Sequence, residues 1–403
     1  MITVQLLPAA HGDALWIEWP GPGGEVHRML VDGGPNTTYR AVFDRVSALP
    51  KPDRHLDVLV VTHVDADHIE GVVRLLQDRT ALGLSIGDVW FNGWPQLTQD
   101  ADLLGADQGE MLQALIGSQH LAWNAAFRTA RVEAPAVQVP ARGPLPSAVL
   151  PGGARVTVVS PGGAELLALR KEWTKVLKGL GVTPGRPGEA LERLARRKDL
   201  RGLADDLLGG ERVDGSVPNG SSIAFLLEVG DHRVLLTGDG HGDVLARGLT
   251  RLLAERGPER GPERGADRLA VDALKVPHHG SAANTTDELL ALLATRRFLI
   301  STNGDKFKHP DRAAVLRLIG TPERTPGPPE LVFNYRSPTT DPWADPDRQR
   351  TLGYTAVYPP DAPGPPTPAG PGGPGGPTGP GDPGGPTGPA TPAAPAAGTT
   401  VEV

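Results

Sequence analysis

Between Asp57 and Val72 the chain carries His63, Asp65, Asp67 and His68, four metal-type ligands within six residues. Imidazoles and carboxylates at this density make a ligand set for a borderline or hard divalent ion. A solvated turn in which Asp67 caps a helix would use one of the four and leave an unneeded crowd of like charge. Val58 to Val61 reads as a strand buried on both faces, while Ile69, Val72, Val73 and Leu76 recur at helical spacing. The cluster therefore belongs at the carboxyl end of a strand, the edge where open α/β sheets bind ligands. In a roughly extended turn His63, Asp65 and Asp67 point the same way, with His68 beside them at the helix start.

Two further strand ends carry candidate ligands. Asp239 follows the strand-like Arg233-Val-Leu-Leu236 in Thr237-Gly-Asp239, where a carboxylate could bridge two ions, one per oxygen, or simply form a turn. His278-His279-Gly280 follows the strand-like Val271 to Val276. Neighbouring side chains of an extended segment diverge, so one histidine is expected on a metal and the other toward substrate. Ser281 could bond a phosphate oxygen or cap a helix starting near Thr285. His309 precedes Pro310 in a loop with Lys306 and Lys308. It could complete a coordination shell, protonate a leaving group, contact substrate or only end a strand.

The spacing H-x-D-x-D-H resembles the H-x-H-x-D-H signature of the metallo-β-lactamase superfamily, with Asp65 at the middle histidine. The same replacement occurs in the soluble hydrolase domain of DNA-uptake competence proteins and in phosphorylcholine esterases. Other segments resemble theirs in the same order: His11-Gly-Asp-Ala14, Leu30-Val-Asp-Gly-Gly34, Asn219-Gly-Ser-Ser222, Leu236-Thr-Gly-Asp239, Leu274 to Ser281 and Ser301 to Pro310. The resemblance spans about residues 1 to 320 and implies an α/β fold, the αββα metallo-β-lactamase sandwich. It implies metal ligation by His63, Asp65, Asp67, His68, Asp239 as the bridge, and His279 as the favoured histidine of the pair. Asp67, His278 and His309 are the expected catalytic residues. Asp32, His11, Asp13, Asn219, Ser222 and Ser281 are expected to support the metals or touch substrate, with His11 and Asp13 on the rim. Asn219, Ser221 and Ser222 fill the region where many relatives provide another histidine, so the first metal site looks depleted.

The implied cofactors are two divalent ions, zinc or manganese, the oxygen-rich set favouring manganese or magnesium over a typical dizinc site. A hydroxide held between ions about 3.5–4 Å apart would attack in line. The implied enzyme is a binuclear metal-dependent hydrolase of an anionic phosphoester, a phosphodiesterase or nuclease. A hydrolase of a lactone, lactam or thioester is the alternative, as is a weakly active metal-binding regulatory module.

The 403 residues include no cysteine, which removes disulfides and thiolate zinc sites. A net charge of -7 argues against a broad nucleic-acid-binding surface without excluding a local one. No run reaches the roughly 18 apolar residues of a membrane span, and the N-terminus lacks a signal-peptide pattern. A cytoplasmic protein without membrane contact is expected.

The pattern predicts strands at 2–7, 14–19, 26–32, 57–61, 221–229, 233–237, 271–276 and 297–302. Helices are predicted at 37–48, 242–255, 285–295 and 311–319, and helical insertions over about 96–150 and 161–212. Residues 1–358 are read as one hydrolase domain and 359–403 as a disordered Pro/Gly-rich tail. Its glycine period is broken at Thr367 and Asp382, which argues against a collagen-type helix.

Overall fold

A computed structural model describes residues 1–97, 107–130, 132, 134–180, 216–257, 268–320, 327–360 and 398–403. Two sheets face each other, and helices cover both outer faces.

The first sheet contains β1 (Thr3–Leu6), β2 (Leu15–Pro20), β3 (Val26–Val31), β4 (His55–Val60) and β5 (Ser85–Trp90). The second contains β6 (Ser147–Val149), β7 (Arg155–Ser160), β8 (Ala224–Val229), β9 (His232–Leu236), β11 (Ala273–Lys275), β13 (Arg297–Ile300), β14 (Glu330–Phe333) and β15 (Thr355–Val357). β10 (Leu269–Ala270) and β12 (Leu293–Ala294) form a small parallel pair, and β16 is Thr399–Glu402. The orders are β16-β1-β2-β3-β4-β5 and β15-β14-β13-β11-β9-β8-β7-β6.

Alternation along the strands builds three apolar layers. Val58 and Val60 of β4 join Val4, Ile17, Phe225, Leu236 and Val332 between the sheets. Leu56, Leu59 and Val61 face the other way, onto Val42, Ile69, Val72 and Leu76 of helices Tyr39–Ser47 and Ala66–Leu82. Leu235, Leu274 and Phe298 pack under helices Gly242–Arg256, Asp287–Ala291 and Arg312–Ile319. This is the αββα sandwich expected from sequence, and β4 is buried on both faces as its composition requires.

Three expectations need correction. Residues 398–403 do not belong to a disordered tail: β16 pairs antiparallel with β1, Thr3 opposite Glu402 and Leu6 opposite Thr399. Thr399-Thr-Val-Glu-Val403 alternates, and Val401 and Val403 enter the layer between the sheets, which offsets the ordering entropy that composition alone made decisive. Residues 361–397 lie outside the described residues. The supposed insertion over 96–150 contains helix Asp107–Ser118 but ends in a strand, β6. β5 and β7 were not anticipated, although Val156-Thr-Val-Val159 is β-branched. Of the 161–212 insertion, helix Gly163–Leu180 is present and the rest lies outside the described residues.

Close backbone approaches fix the ligand-bearing turn. A Cβ on Gly71 would sit 2.0 Å from the carbonyl oxygen of Gly33, and one on Gly12 would sit 1.8 Å from that of Asp67. Only glycine allows helix Ala66–Leu82 to start this near both loops.

Candidate metal centre

The carboxyl ends of β4, β9 and β11 deliver His63 to His68, Asp239 and His278-His279 to one cleft. Asp239 is its centre. Its Oδ2 lies 3.2 Å from His68 Nε2, 3.2 Å from His279 Nε2 and 3.9 Å from His278 Nε2. His279 Nε2 is also 3.8 Å from Asp67 Oδ2, and His63 Nε2 is 3.7 Å from Asp65 Oδ2.

Four groups of side chains bring ligand atoms within 4.8 Å of one another: His63, His68 and Asp239; Asp67, His68 and His279; Asp13, Asp32 and His68; Asp13, Asp239 and His279. Asp65 and His278 belong to none of these compact groups. Asp65 instead stands at the N-terminus of helix Ala66–Leu82, with its side chain 20% exposed.

The histidine pair departs from the expected divergence because the segment is not extended. His278 and His279 have φ of 47° and 55°. This left-handed conformation is rare for residues with a side chain and marks a constrained site. It turns both imidazoles toward Asp239. His279 is buried, its Nδ1 donating to the Ser301 carbonyl at 2.8 Å, which leaves Nε2 facing the acidic groups. His278 is more open, with Nδ1 3.2 Å from Asn284 Oδ1 and 3.5 Å from Asn219 Nδ2.

Outer partners orient the inner ring atoms, as is usual around metals. Asp32 is fully buried at φ 61° and accepts from Thr62 N and Oγ1, while its Oδ2 meets His68 Nδ1 at 2.8 Å. Ser222 Oγ accepts from Asp239 N at 3.2 Å and lies 3.3 Å from His63 Nδ1. Asn284 Nδ2 donates to the Asp239 and Gly240 carbonyls.

Asp13 is corrected from rim to floor. It is 1% exposed, and its Oδ1 is 3.4 Å from His279 Nδ1 while its Oδ2 is 2.6 Å from Lys275 Nζ. Lys275 is itself fully buried, a cation supplied to a carboxylate-rich floor. Ser281 does not cap the following helix: its buried Oγ accepts from Ala283 N, and Thr286 caps at Leu289 N. His11 is half-buried and lies edge-on to Phe307 at 5.9 Å between ring centroids. His309 sits 5.3 Å from the His278 ring, with Nδ1 3.2 Å from Asp311 Oδ1.

Sequence reasoning missed Lys275, Thr62 and Asn284. Lys275 was detectable as a lysine inside an apolar strand, a position that requires a buried counter-charge.

Burial and charge oppose each other throughout. Burial pushes His279 down, but the Asp239 and Asp13 carboxylates overcome it and hold its pKa at about 10. For His68 burial is likewise outweighed by Asp239 and Asp32, which raise it well above the ordinary histidine value. Burial would raise the Asp239 carboxyl, yet His279, His68 and His278 hold it well below the usual range. Asp13 is also depressed, Lys275 and His279 overcoming its burial. Burial and the neighbouring His278 lower His309, and burial lowers His11 despite Asp67.

Without a metal ion the inner atoms are under-satisfied. His63 Nε2, His68 Nε2, His279 Nε2, Asp65 Oδ1 and Asp239 Oδ1 are buried with no aligned hydrogen-bond partner among the described residues. The 3.2 Å approaches to Asp239 are close in distance but not aligned as hydrogen bonds. Convergent imidazole and carboxylate atoms without aligned partners, free to give up their protons to an ion, are what a cation site offers.

A sequence model described as the metallo-beta-lactamase superfamily matches residues 12–304. No curated protein matches the chain. Among similar solved structures is the metallo-beta-lactamase fold protein YhfI from Bacillus subtilis, at 12% identity and TM-score 0.34, covering 89% of this chain and 94% of that one. CmlA, a diiron beta-hydroxylase from Streptomyces venezuelae, shows 15% identity and TM-score 0.37 over 88% of this chain and 52% of its own. A diphosphatase from the PhnP family shows 12% identity and TM-score 0.28 over 74% and 85% of the two chains. The chain thus spans about half the length of CmlA. No helix among the described residues is long and apolar enough to cross a membrane.

Proposed function

The chain belongs to the metallo-β-lactamase superfamily, and from that premise we propose that it is a metal-dependent hydrolase of phosphodiesters, with two divalent ions held about Asp239. The observation that carries this reading is the set of buried, unpartnered donor atoms on His63, His68, His279 and Asp239. These residues fit divalent cations in chemistry and in convergence. His63 and Asp65 would hold one ion and Asp67, His68 and His279 the other, with Asp239 shared. Zinc and manganese are the proposed metals, the oxygen-rich donor set favouring manganese. When bound, such ions supply an acidified water as nucleophile, with a pKa near 7, and positive charge opposite the phosphoryl oxygens.

The chain's own groups perform the rest. Asp32 and the Ser301 carbonyl hold the rings of His68 and His279 in fixed orientation through Nδ1, with Asp13 Oδ1 3.4 Å from the latter. His278 Nε2 lies 3.9 Å from Asp239 Oδ2, placed to bond a phosphoryl oxygen. His309, held through Nδ1 by Asp311, keeps Nε2 for substrate, and its lowered pKa suits exchange of a proton with the leaving oxygen. Lys306 and Lys308 on the same loop match an anionic ester, with nucleic acid among the candidates. The H-x-D-x-D-H motif, similar to those of the competence-protein hydrolase domain and phosphorylcholine esterases, supports phosphorus as the electrophile.

Two features favour a module of low turnover: Asp65 lies outside the compact groups, and Asn219, 3.5 Å from His278, occupies the region where the resemblance implies another histidine. A substrate panel separates the readings. Protein loaded with zinc, manganese or magnesium is assayed against DNA, RNA, bis-p-nitrophenyl phosphate, a lactone and a β-lactam. Metal-dependent cleavage of the phosphodiesters is expected, whereas cleavage only of the lactone or lactam would refute the phosphoester assignment.

A further inference from the structure

Phe307 is 45% exposed, and it stands at the cleft. Its loop is anchored rather than loose: Asn303 N donates to the Ala10 carbonyl at 2.8 Å, and Thr339 Oγ1 donates to the His309 carbonyl at 2.8 Å. The ring is flanked by His11, edge-on at 5.9 Å, and by His309, tilted at 6.2 Å. His309 in turn is 5.3 Å from His278, whose Nε2 is 3.9 Å from Asp239 Oδ2. A row of rings therefore leads outward from the metal centre and ends in an exposed apolar face. The Lys306 ammonium lies over one face of the Phe307 ring, 5.1 Å from its centroid, and adds positive charge there, which leaves the opposite face for a ligand.

A phenyl group that keeps 45% of its surface exposed on a fixed loop offers a flat face for stacking. We propose that Phe307 is a stacking platform for a flat aromatic substituent of the substrate, a nucleobase or an aryl group, while the ester phosphorus sits at Asp239. This inference rests on the phosphodiesterase reading and narrows it to esters carrying an aromatic group. Stacking of a base on an aromatic side chain is sequence-tolerant, so the platform selects aromatic over aliphatic substituents without choosing among bases.

The test measures binding rather than turnover. Phenylphosphonate and methylphosphonate are titrated calorimetrically into the metal-loaded full chain, its Phe307→Ala and Phe307→Trp variants, and Val149→Ala. Val149 is exposed on β6 and controls for loss of surface apolar area. The expected ratio of affinities, phenyl over methyl, is about tenfold in the parent chain, equivalent to ~1.4 kcal/mol. It should fall near unity in Phe307→Ala and persist in Phe307→Trp and Val149→Ala. Equal affinities in the parent chain, or a preference that survives Phe307→Ala, would overturn the platform alone. Binding of neither phosphonate would overturn the phosphoester reading and the platform with it.

Discussion

Asp239 Oδ2 and His279 Nε2 stand 3.2 Å apart at the ends of two adjacent parallel strands, β9 and β11. The register Ala273 opposite Val234 and Leu274 opposite Leu235 sets this approach, since each chain then leaves the sheet at the same edge. The left-handed turn at His278-His279 closes the remaining distance. The site is thus built by backbone geometry that a single substitution at Asp239 leaves in place.

Asp239→Ala and Asp67→Ala should each lower hydrolysis by several orders of magnitude while leaving the circular dichroism of the folded chain nearly unchanged. Removing either carboxylate takes donor atoms from an ion without opening the apolar layers. Near-normal rates under saturating metal would place that residue outside the reaction.

Metal loading should release protons. Carboxylates hold His279 at about 10, so it carries a proton in the metal-free chain at pH 8, and they raise His68 in the same direction. Ligation requires neutral imidazole, whereas Asp239 and Asp67 are already ionised and contribute none. Loading at pH 8 should therefore release the His279 proton, and that release should vanish as pH rises through about 10. Calorimetry in buffers of different ionisation enthalpy measures this. Proton uptake on loading would contradict the assignment.

Asp65→His should shift metal preference toward zinc, because an imidazole replaces a hard oxygen donor. An unchanged ranking of zinc against manganese would mean that Asp65 faces away from both ions, as its 20% side-chain exposure allows.

Truncation after residue 397 should lower the melting temperature by several degrees, and truncation after 360 should lower it by about the same amount. Both remove β16, with Val401 and Val403, each worth ~1.5–3 kcal/mol of burial, and the Arg297 bond to the Glu402 carbonyl. Scanning calorimetry would count against this pairing if the chain ending at 397 melted like the parent.

What the sequence made legible follows from local signals. Val58 to Val61 and the spacing of Ile69, Val72 and Leu76 gave β4 and the helix after it, and so the placement of His63 to His68. The backbone at His278 and His279 was not legible, because two left-handed residues make no repeating pattern, although histidine is among the types enriched in that region. The Lys275 pair with Asp13 joins residues from opposite ends of the chain, and only the fold brings them to 2.6 Å. β16 was hidden by the Pro/Gly composition before it, although its own four residues and Val403 alternate as a strand should.

The central claim is that a cluster about Asp239 holds two divalent ions that make the chain a hydrolase. It is tested most directly by titrating metal-free protein with manganese or zinc while recording bound metal by elemental analysis and bis-p-nitrophenyl phosphate hydrolysis on the same samples. The account predicts that hydrolysis rises with bound metal and levels off at about two ions per chain. A chain that binds no metal, or that fills with metal and hydrolyses nothing, would contradict it.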